Sequence, residues 1–291
     1  MSVVVITGSN SGFGFEGALA FARNGDTVFA SMRDVAKAGR LRNAADAEGL
    51  AINIKSLDVN QPGTFDRFVN EIVAEAGRID VLVNNAGIVW PGALEDISEA
   101  ALRLVMETNF FGPFLLTKSV LPHMRSQGSG YIIMVSSLSG IAGLPGDIPY
   151  AASKFAVEGA TEALRHEIDR WDINVALVEA GMYATGIFDS SLAGDDPLPH
   201  DYPDDSPYRA LVKSRLGEVR DRMPEAFHPR SVGELFVTIA NSNGTQLRWP
   251  ADEVAEKVLG TMFAQDDTNR DDFLRMVAGT DWWSEGKENA D

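Results

Sequence analysis

Short apolar runs alternate with longer amphipathic stretches through the first 180 or so residues. Residues 3–7 form a β-branched run of the kind a buried strand needs, and a glycine-rich turn separates them from a helical pattern over about 14–24. Residues 27–31, 51–57, 80–84, 131–136 and 173–178 read as five further strands. Helical patterns lie between them: 64–76, then 99–125 as one helix or two, then a long one from about Pro149, a residue suited to a helix's first turn, to about Trp171. Strict alternation of strand and helix implies right-handed crossovers and a doubly wound parallel sheet, a Rossmann-type α/β fold.

After Gly181 the alternation stops. Residues 186–250 are rich in Asp, Pro and Gly, with helical pieces near 207–223 and 231–241. A long irregular segment beyond a strand end reads as a substrate lid. Residues 251–277 look helical again, and an acidic tail carries Trp282-Trp283. The expected organisation is a single dinucleotide-binding domain over residues 1–291.

Composition narrows the function. The net charge of −17 argues against a nucleic-acid partner or an anionic membrane surface. Six aspartates and no Lys or Arg fall between residues 189 and 205, and both that stretch and the tail read as solvated surface. There are no cysteines, so disulfide and thiolate chemistry is excluded. The first residues carry neither a basic region nor an apolar run long enough for a signal or a span, which points to the cytoplasm. The four histidines lack ligand spacing, so no metal is expected.

Two patterns carry chemistry. Ser137 is followed by Tyr150 and, one helical turn later, by Lys154 on the same helix face. An ammonium beside a phenol favours the phenolate, lowering a pKa of about 10, so the tyrosine becomes a usable acid/base. Ser137 can hydrogen-bond the same reacting oxygen. The second pattern, Thr7-Gly8-Ser9-Asn10-Ser11-Gly12-Phe13-Gly14, follows a strand and opens a helix. Glycines there let backbone approach a pyrophosphate that the helix N-terminus stabilises.

Together with Asn84-Asn85-Ala86-Gly87 and Asn109, these motifs resemble the short-chain dehydrogenase/reductase family over about residues 3–185. The resemblance implies NAD(H) or NADP(H) and hydride exchange at an alcohol or ketone carbon. It makes Tyr150 the acid/base, Lys154 its partner and a ribose ligand, Ser137 the holder of the substrate oxygen, and Asn109 the keeper of a relay water. It assigns the cofactor to Gly8, Asn10, Ser11, Gly12, Phe13, Gly14, Asp58, Val59, Asn85, Ala86, Gly87, Tyr150, Lys154, Gly181, Tyr183 and Thr185. Asn84 reads as a strand-stabilising amide as readily as a ligand contact, and Ser136 as structural. One departure stands out: Glu179-Ala180-Gly181 replaces the family's usual Pro-Gly turn, which frees φ at Ala180, and Tyr183 replaces a small aliphatic residue.

Arg33, just after the second strand, stands where NADP-preferring members place an arginine, and favours NADP(H). Asp34 and the lack of a basic residue at 9–11 count the other way, so NAD(H) stays open. Ala30-Ser31-Met32-Arg33-Asp34 and the stretch around Tyr150 look most like the 17β-hydroxysteroid and retinol dehydrogenase branch, implying a bulky apolar secondary alcohol or ketone. Phe188, Leu192, Tyr202, Tyr208, Trp249, Met262, Phe263, Phe273, Trp282 and Trp283 offer apolar surface for it. The alternatives are an NAD-dependent catabolic alcohol dehydrogenase and a non-catalytic nucleotide sensor. The resemblance also implies a homodimer or homotetramer built on the helix of Tyr150 and the one before it.

Overall fold

In a computed structural model, the structure describes residues 1–188, 197–199 and 202–264, with Asn269, Phe273, Arg275, Met276, Gly279 and Trp282 beyond them. The strands are β1 (Val3–Ile6), β2 (Thr27–Met32), β3 (Ile52–Ser56), β4 (Val81–Asn84), β5 (Gly130–Val135), β6 (Ile173–Glu179) and β7 (Arg248–Pro250). They form one sheet in the order β3-β2-β1-β4-β5-β6-β7, every neighbouring pair parallel. The chain reverses its direction of travel across the sheet between β1 and β4, the crevice where open α/β sheets hold ligands.

Alternating residues of each strand face opposite layers. Val4 and Ile6 point to α1 (Gly12–Arg23), α2 (Gly39–Ala47) and α8 (Arg230–Ala240), joining Phe15, Phe21, Leu41 and Phe236. Val3 and Val5 point to α3 (Phe65–Ala76), α5 (Gly112–Gln127) and α6 (Ile148–Ile168), joining Phe68, Ile72, Leu116 and Leu164. Two apolar layers therefore clamp the sheet, as the continuous hydrophobic strands require.

Two features depart from the sequence reading, a π-turn and a seventh strand. The helical stretch between β4 and β5 is α4 (Glu99–Met106) and α5, joined by a π-turn at Glu107–Phe111. The segment read as an irregular lid holds α7 (Arg209–Arg222) and α8 where helix was expected, but it also returns to the sheet as β7. That strand is three residues long and only half-buried, too short to show an alternation. Pro149 sits in the first turn of α6, as its chemistry demands. The last helix, α9 (Glu253–Ala264), follows β7; the expectations for Leu192, Trp283 and the Phe188 side chain fall outside the described residues.

Candidate active site

The residues expected to touch the cofactor follow the carboxyl end of a strand or lie on a helix beside it. Gly8 follows β1, Arg33 β2, Asp58 and Val59 β3, Asn85 β4, Ser137 β5 and Gly181 β6. The two walls of the crevice are stitched by Thr7. Its hydroxyl accepts the amides of Asn85 and Ala86 at 2.9 and 3.0 Å, while Asn85 Nδ2 donates to the carbonyls of Thr7 and Gly8 at 2.8 and 3.2 Å.

This close approach explains the glycines. Gly8 has φ +70°, and a Cβ there would lie 2.9 Å from Ala86 Cα; one on Gly14 would lie 2.5 Å from Asn85 Nδ2 and 2.6 Å from Gly8 O. Gly12, also at positive φ, faces the Thr185 side chain, so Thr185 closes over the turn. Ser11, the N-cap of α1, makes no side-chain cap bond, so the first-turn amides stay open to an anion. The cradle therefore fits a dinucleotide's pyrophosphate.

Arg33 is exposed beyond β2. The carboxylate of Asp34 accepts the Ala36 amide at 3.0 Å and caps the short turn Val35–Ala38. Arg40 lays its guanidinium over the Phe15 ring, 4.7 Å from its centre, adding a second cation at this end. Asp58 accepts the Asn60 amide at 3.0 Å, and Val59 is buried against Gly112.

On the other side of the crevice, Lys154 is 4% exposed and donates to the Val135 carbonyl at 2.7 Å. Its Nζ lies 5.5 Å from the centre of the Tyr150 ring. Burial pulls the Lys154 pKa down to about 8 against the opposing charge of Glu158. Tyr150 departs from expectation: burial pushes its pKa up from 10, with Ser137 pulling it down and the Asp147 charge adding to the rise. The ammonium sits beside the ring and bonds Val135, and burial raises the phenol's pKa against the lowering that the sequence spacing suggested.

Asn109 lies in the π-turn, a deformation frequent at functional sites. Its side-chain oxygen accepts the Ile88 amide at 2.9 Å, and Nδ2 donates to Ile88 O at 2.9 Å and Ser153 Oγ at 3.0 Å. Ser153 in turn donates to the Tyr150 carbonyl at 2.7 Å. Asn109 thus ties the loop after β4, which carries Gly87, to the helix of Tyr150, and it shares a cleft with Ala86 and Lys154. Asn84 donates to Thr117 Oγ1 of α5 at 2.9 Å, while its buried oxygen has no hydrogen-bond partner among the described residues.

The turn after β6 is fixed without proline. Asp252 accepts the Gly181 amide at 3.1 Å and the Ala255 amide at 2.8 Å, capping α9 and holding the turn together. Tyr183 is buried; its hydroxyl donates to Ala251 O at 2.9 Å and its ring packs edge-on against Phe13 at 5.0 Å. Its side chain is therefore directed into the core, while the Thr185 side chain faces the Gly12 turn. The sequence reading missed Asp252, whose partner Gly181 lies 71 residues away in the chain.

The start of α7 and the segment before it dock on the loop after β4. Tyr202 donates to Asp96 Oδ2 at 2.5 Å, Ser206 donates to the same oxygen at 2.7 Å, and Tyr208 donates to Glu95 at 2.7 Å. Ala93, Leu198, Tyr202, Val212 and Leu216 form a small apolar cluster beneath them. Met262 is buried beside Ile141, and Phe263 is exposed and stacked on Arg248.

The family model for short chain dehydrogenase matches residues 2–196. The chain belongs to the short-chain dehydrogenase family. It is 38% identical over 251 residues to the uncharacterized oxidoreductase YusZ of Bacillus subtilis, covering 85% of this chain and 88% of that one. It is 38% identical to a 3-ketodihydrosphingosine reductase of Bacteroides thetaiotaomicron (81% and 82% covered) and 42% identical to retinol dehydrogenase 8 of Bos taurus (84% and 80%). A short-chain dehydrogenase solved from Streptomyces avermitilis superposes with a TM-score of 0.75 at 28% identity, over 98% of this chain and 97% of that one. Membership makes this short-chain dehydrogenase an NAD(P)-dependent oxidoreductase acting on a small molecule. None of its described helices is long and apolar enough to cross a membrane.

Proposed function

We propose that this short-chain dehydrogenase is an NADP(H)-dependent carbonyl reductase and alcohol dehydrogenase for bulky apolar ketones and secondary alcohols. The observation that carries the reading is the meeting of Ser137, Tyr150 and Lys154 beside the carboxyl end of β5, with Asn109 tied to the Tyr150 helix through Ser153. When bound, the nicotinamide supplies or removes the hydride; the chain supplies everything else. Ser137 donates a hydrogen bond to the substrate oxygen, and Tyr150 gives that oxygen its proton during reduction. A phenol held neutral by burial is already in the acid form that reduction needs. Lys154, anchored on Val135 O, keeps two further N–H groups for the ribose and for support of the phenol.

The case for NADP(H) rests on Arg33, exposed at the end of β2, with Arg40 nearby. Asp34, the residue that argued for NAD(H), is engaged in capping its own turn. An apolar substrate is in keeping with the names of two relatives, a retinol dehydrogenase and a 3-ketodihydrosphingosine reductase. Leu104, Phe111 and Phe155 leave large apolar side chains exposed on and beside α4, α5 and α6, a surface suited to a second copy of the chain in a homodimer or homotetramer.

The test is NADPH oxidation with a panel of bulky aryl and alkyl ketones, run beside fluorescence titrations with NADPH and NADH. Turnover of a bulky ketone with NADPH preferred supports the reading. A protein that binds NADPH but reduces none of the panel, and oxidises none of the matching alcohols, overturns it.

A further inference from the structure

The buried polar atoms without a partner are not scattered over the molecule. Among the described residues six side-chain atoms are orphaned in this way, and five of them belong to Ser136, Glu158, Thr161 and Glu179. Folded proteins leave few such atoms, so a group of them calls for a reason. Glu158 lies on α6 one helical turn beyond Lys154, on the same face. The two residues meet Ser136 at Gly140: a Cβ there would lie 2.8 Å from Ser136 Oγ, 3.0 Å from Glu158 Cγ and 3.1 Å from Lys154 O. Ser136 stands between Val135, whose carbonyl anchors the Lys154 ammonium, and Ser137. The orphaned cluster thus borders the proposed catalytic groups.

Its two carboxyl groups share one cation. Arg248 of β7 donates to Glu158 Oε2 at 3.1 Å and approaches Glu179 Oε1 at 3.6 Å, while it also donates to the exposed Glu162 at 2.8 Å. Glu158 is 5% exposed and Glu179 0%, so neither charge can spread into water. The charges facing Glu158 are therefore Lys154 and Glu162 from its own helix, Glu179 from β6 and Arg248 from β7. Like charges held together in a dry site do not both ionise. Glu179, farther from Arg248 and wholly buried, is the one that keeps its proton: burial and the Glu158 charge raise its pKa to about 8.

Glu158, with the shorter bonds to Arg248, is left with the negative charge. A buried ammonium that bonds a neutral carbonyl needs such a counter-charge. Glu158 is the charge that acts on Lys154, and it works against the burial that pulls the lysine's pKa down. Resting on the reductase reading above for the role of Lys154, we propose that Glu158 is a positioning residue. Its carboxylate, fixed by Arg248 while Glu179 stays protonated, keeps Lys154 an ammonium beside Tyr150.

The test titrates Lys154 itself. Its Cε resonance is followed by NMR in lysine-labelled full-length protein and assigned by its loss in Lys154→Arg. The wild-type midpoint is expected at about 8, and Glu158→Gln should lower it by about half a unit or more. Glu162→Gln, which removes an exposed carboxylate, should leave it unmoved, and Glu179→Gln should move it less than Glu158→Gln does. An equal or larger shift in Glu179→Gln overturns the proposed division of charge. Arg248→Gln is a second route, needed if Glu158→Gln does not fold: without its cation Glu158 takes up a proton, and the Lys154 midpoint falls in the same direction. A midpoint that stays at the wild-type value in the variant that folds overturns the proposal. In ketone reduction the alkaline limb of kcat/KM should move to lower pH in Glu158→Gln, with the value at a pH of about 6 within about threefold of wild type. A variant that loses the same fraction of its rate at every pH shows a merely structural residue and overturns the proposal. If the wild type reduces no ketone, a shifted Lys154 midpoint still supports the role of Glu158, and the reductase reading alone falls.

Discussion

The proposed cofactor wall and the proposed substrate wall meet at the same edge of the sheet but are held by different forces. On the cofactor wall, Thr7, Gly8, Gly12, Gly14 and Asn85 are neutral and bonded mostly to backbone, and their spacing is fixed by contacts a single methyl group would break. On the substrate wall, Asp96, Asp147, Tyr150, Tyr202 and Arg215 are titratable, drawn from four separated segments, and joined by side-chain bonds. The first wall is set by close packing and backbone bonds; the second is tuned by burial and charge. A fold-wide property sits beside a chain-specific one.

The largest effect separating the two is expected from Gly14→Ala. Its Cβ meets Asn85 Nδ2 and Gly8 O well inside contact distance, and overpacking of this kind costs about 1–3 kcal/mol. Thermal unfolding should show the loss, and NADPH affinity should fall by an order of magnitude or more because the cradle itself is displaced. Arg33→Asp comes next: NADPH binding should weaken about tenfold or more with NADH binding little changed, and equal effects on both would mean that Arg33 reads no phosphate.

Tyr202→Phe probes the other wall. It removes the bond to Asp96, worth about 1–2 kcal/mol, so KM for ketone should rise severalfold while cofactor titrations stay unchanged. The smallest effect is expected from Glu179→Gln. Burial and the neighbouring Glu158 charge raise the Glu179 pKa from 4.5 to about 8, with Arg248 at 3.6 Å only partly offsetting them. Between those values the unfolded chain has lost a proton that the folded chain keeps, so this group's contribution to stability falls as pH rises through that window. The variant's melting temperature relative to wild type should therefore be higher at a pH of about 8 than at about 5; the reverse order would place Glu179 as a net favourable ion-pair partner of Arg248.

The same division explains what was legible in the sequence. Strands β1, β2, β4, β5 and β6 announce themselves as apolar runs because both faces are buried, whereas the edge strand β3 shows only a short alternation of Ile52 and Ile54; the glycine turn is legible because only glycine fits so close to Asn85 and Ala86. Strand β7 could not be read, since three half-buried residues carry no period. Tyr150 and Lys154 were found from one helical turn of spacing, but spacing gives no solvation, and burial reverses the pKa shift that proximity alone suggested. Asp252 and Ser153 act through partners distant in the chain, which leaves no local pattern. Tyr183 replaced a small residue in the motif, and its size is explained by the core contact with Phe13 and the bond to Ala251.

The central claim is that Tyr150 is the proton donor of a working reductase, and Tyr150→Phe tests it most directly. Removing a positioned acid lowers turnover by about two to four orders of magnitude. The account predicts a loss of that size in NADPH-dependent ketone reduction, with NADPH affinity within about twofold of wild type because the phosphate cradle lies on the other wall. A Tyr150→Phe protein that reduces the same ketone at near wild-type rate would contradict it.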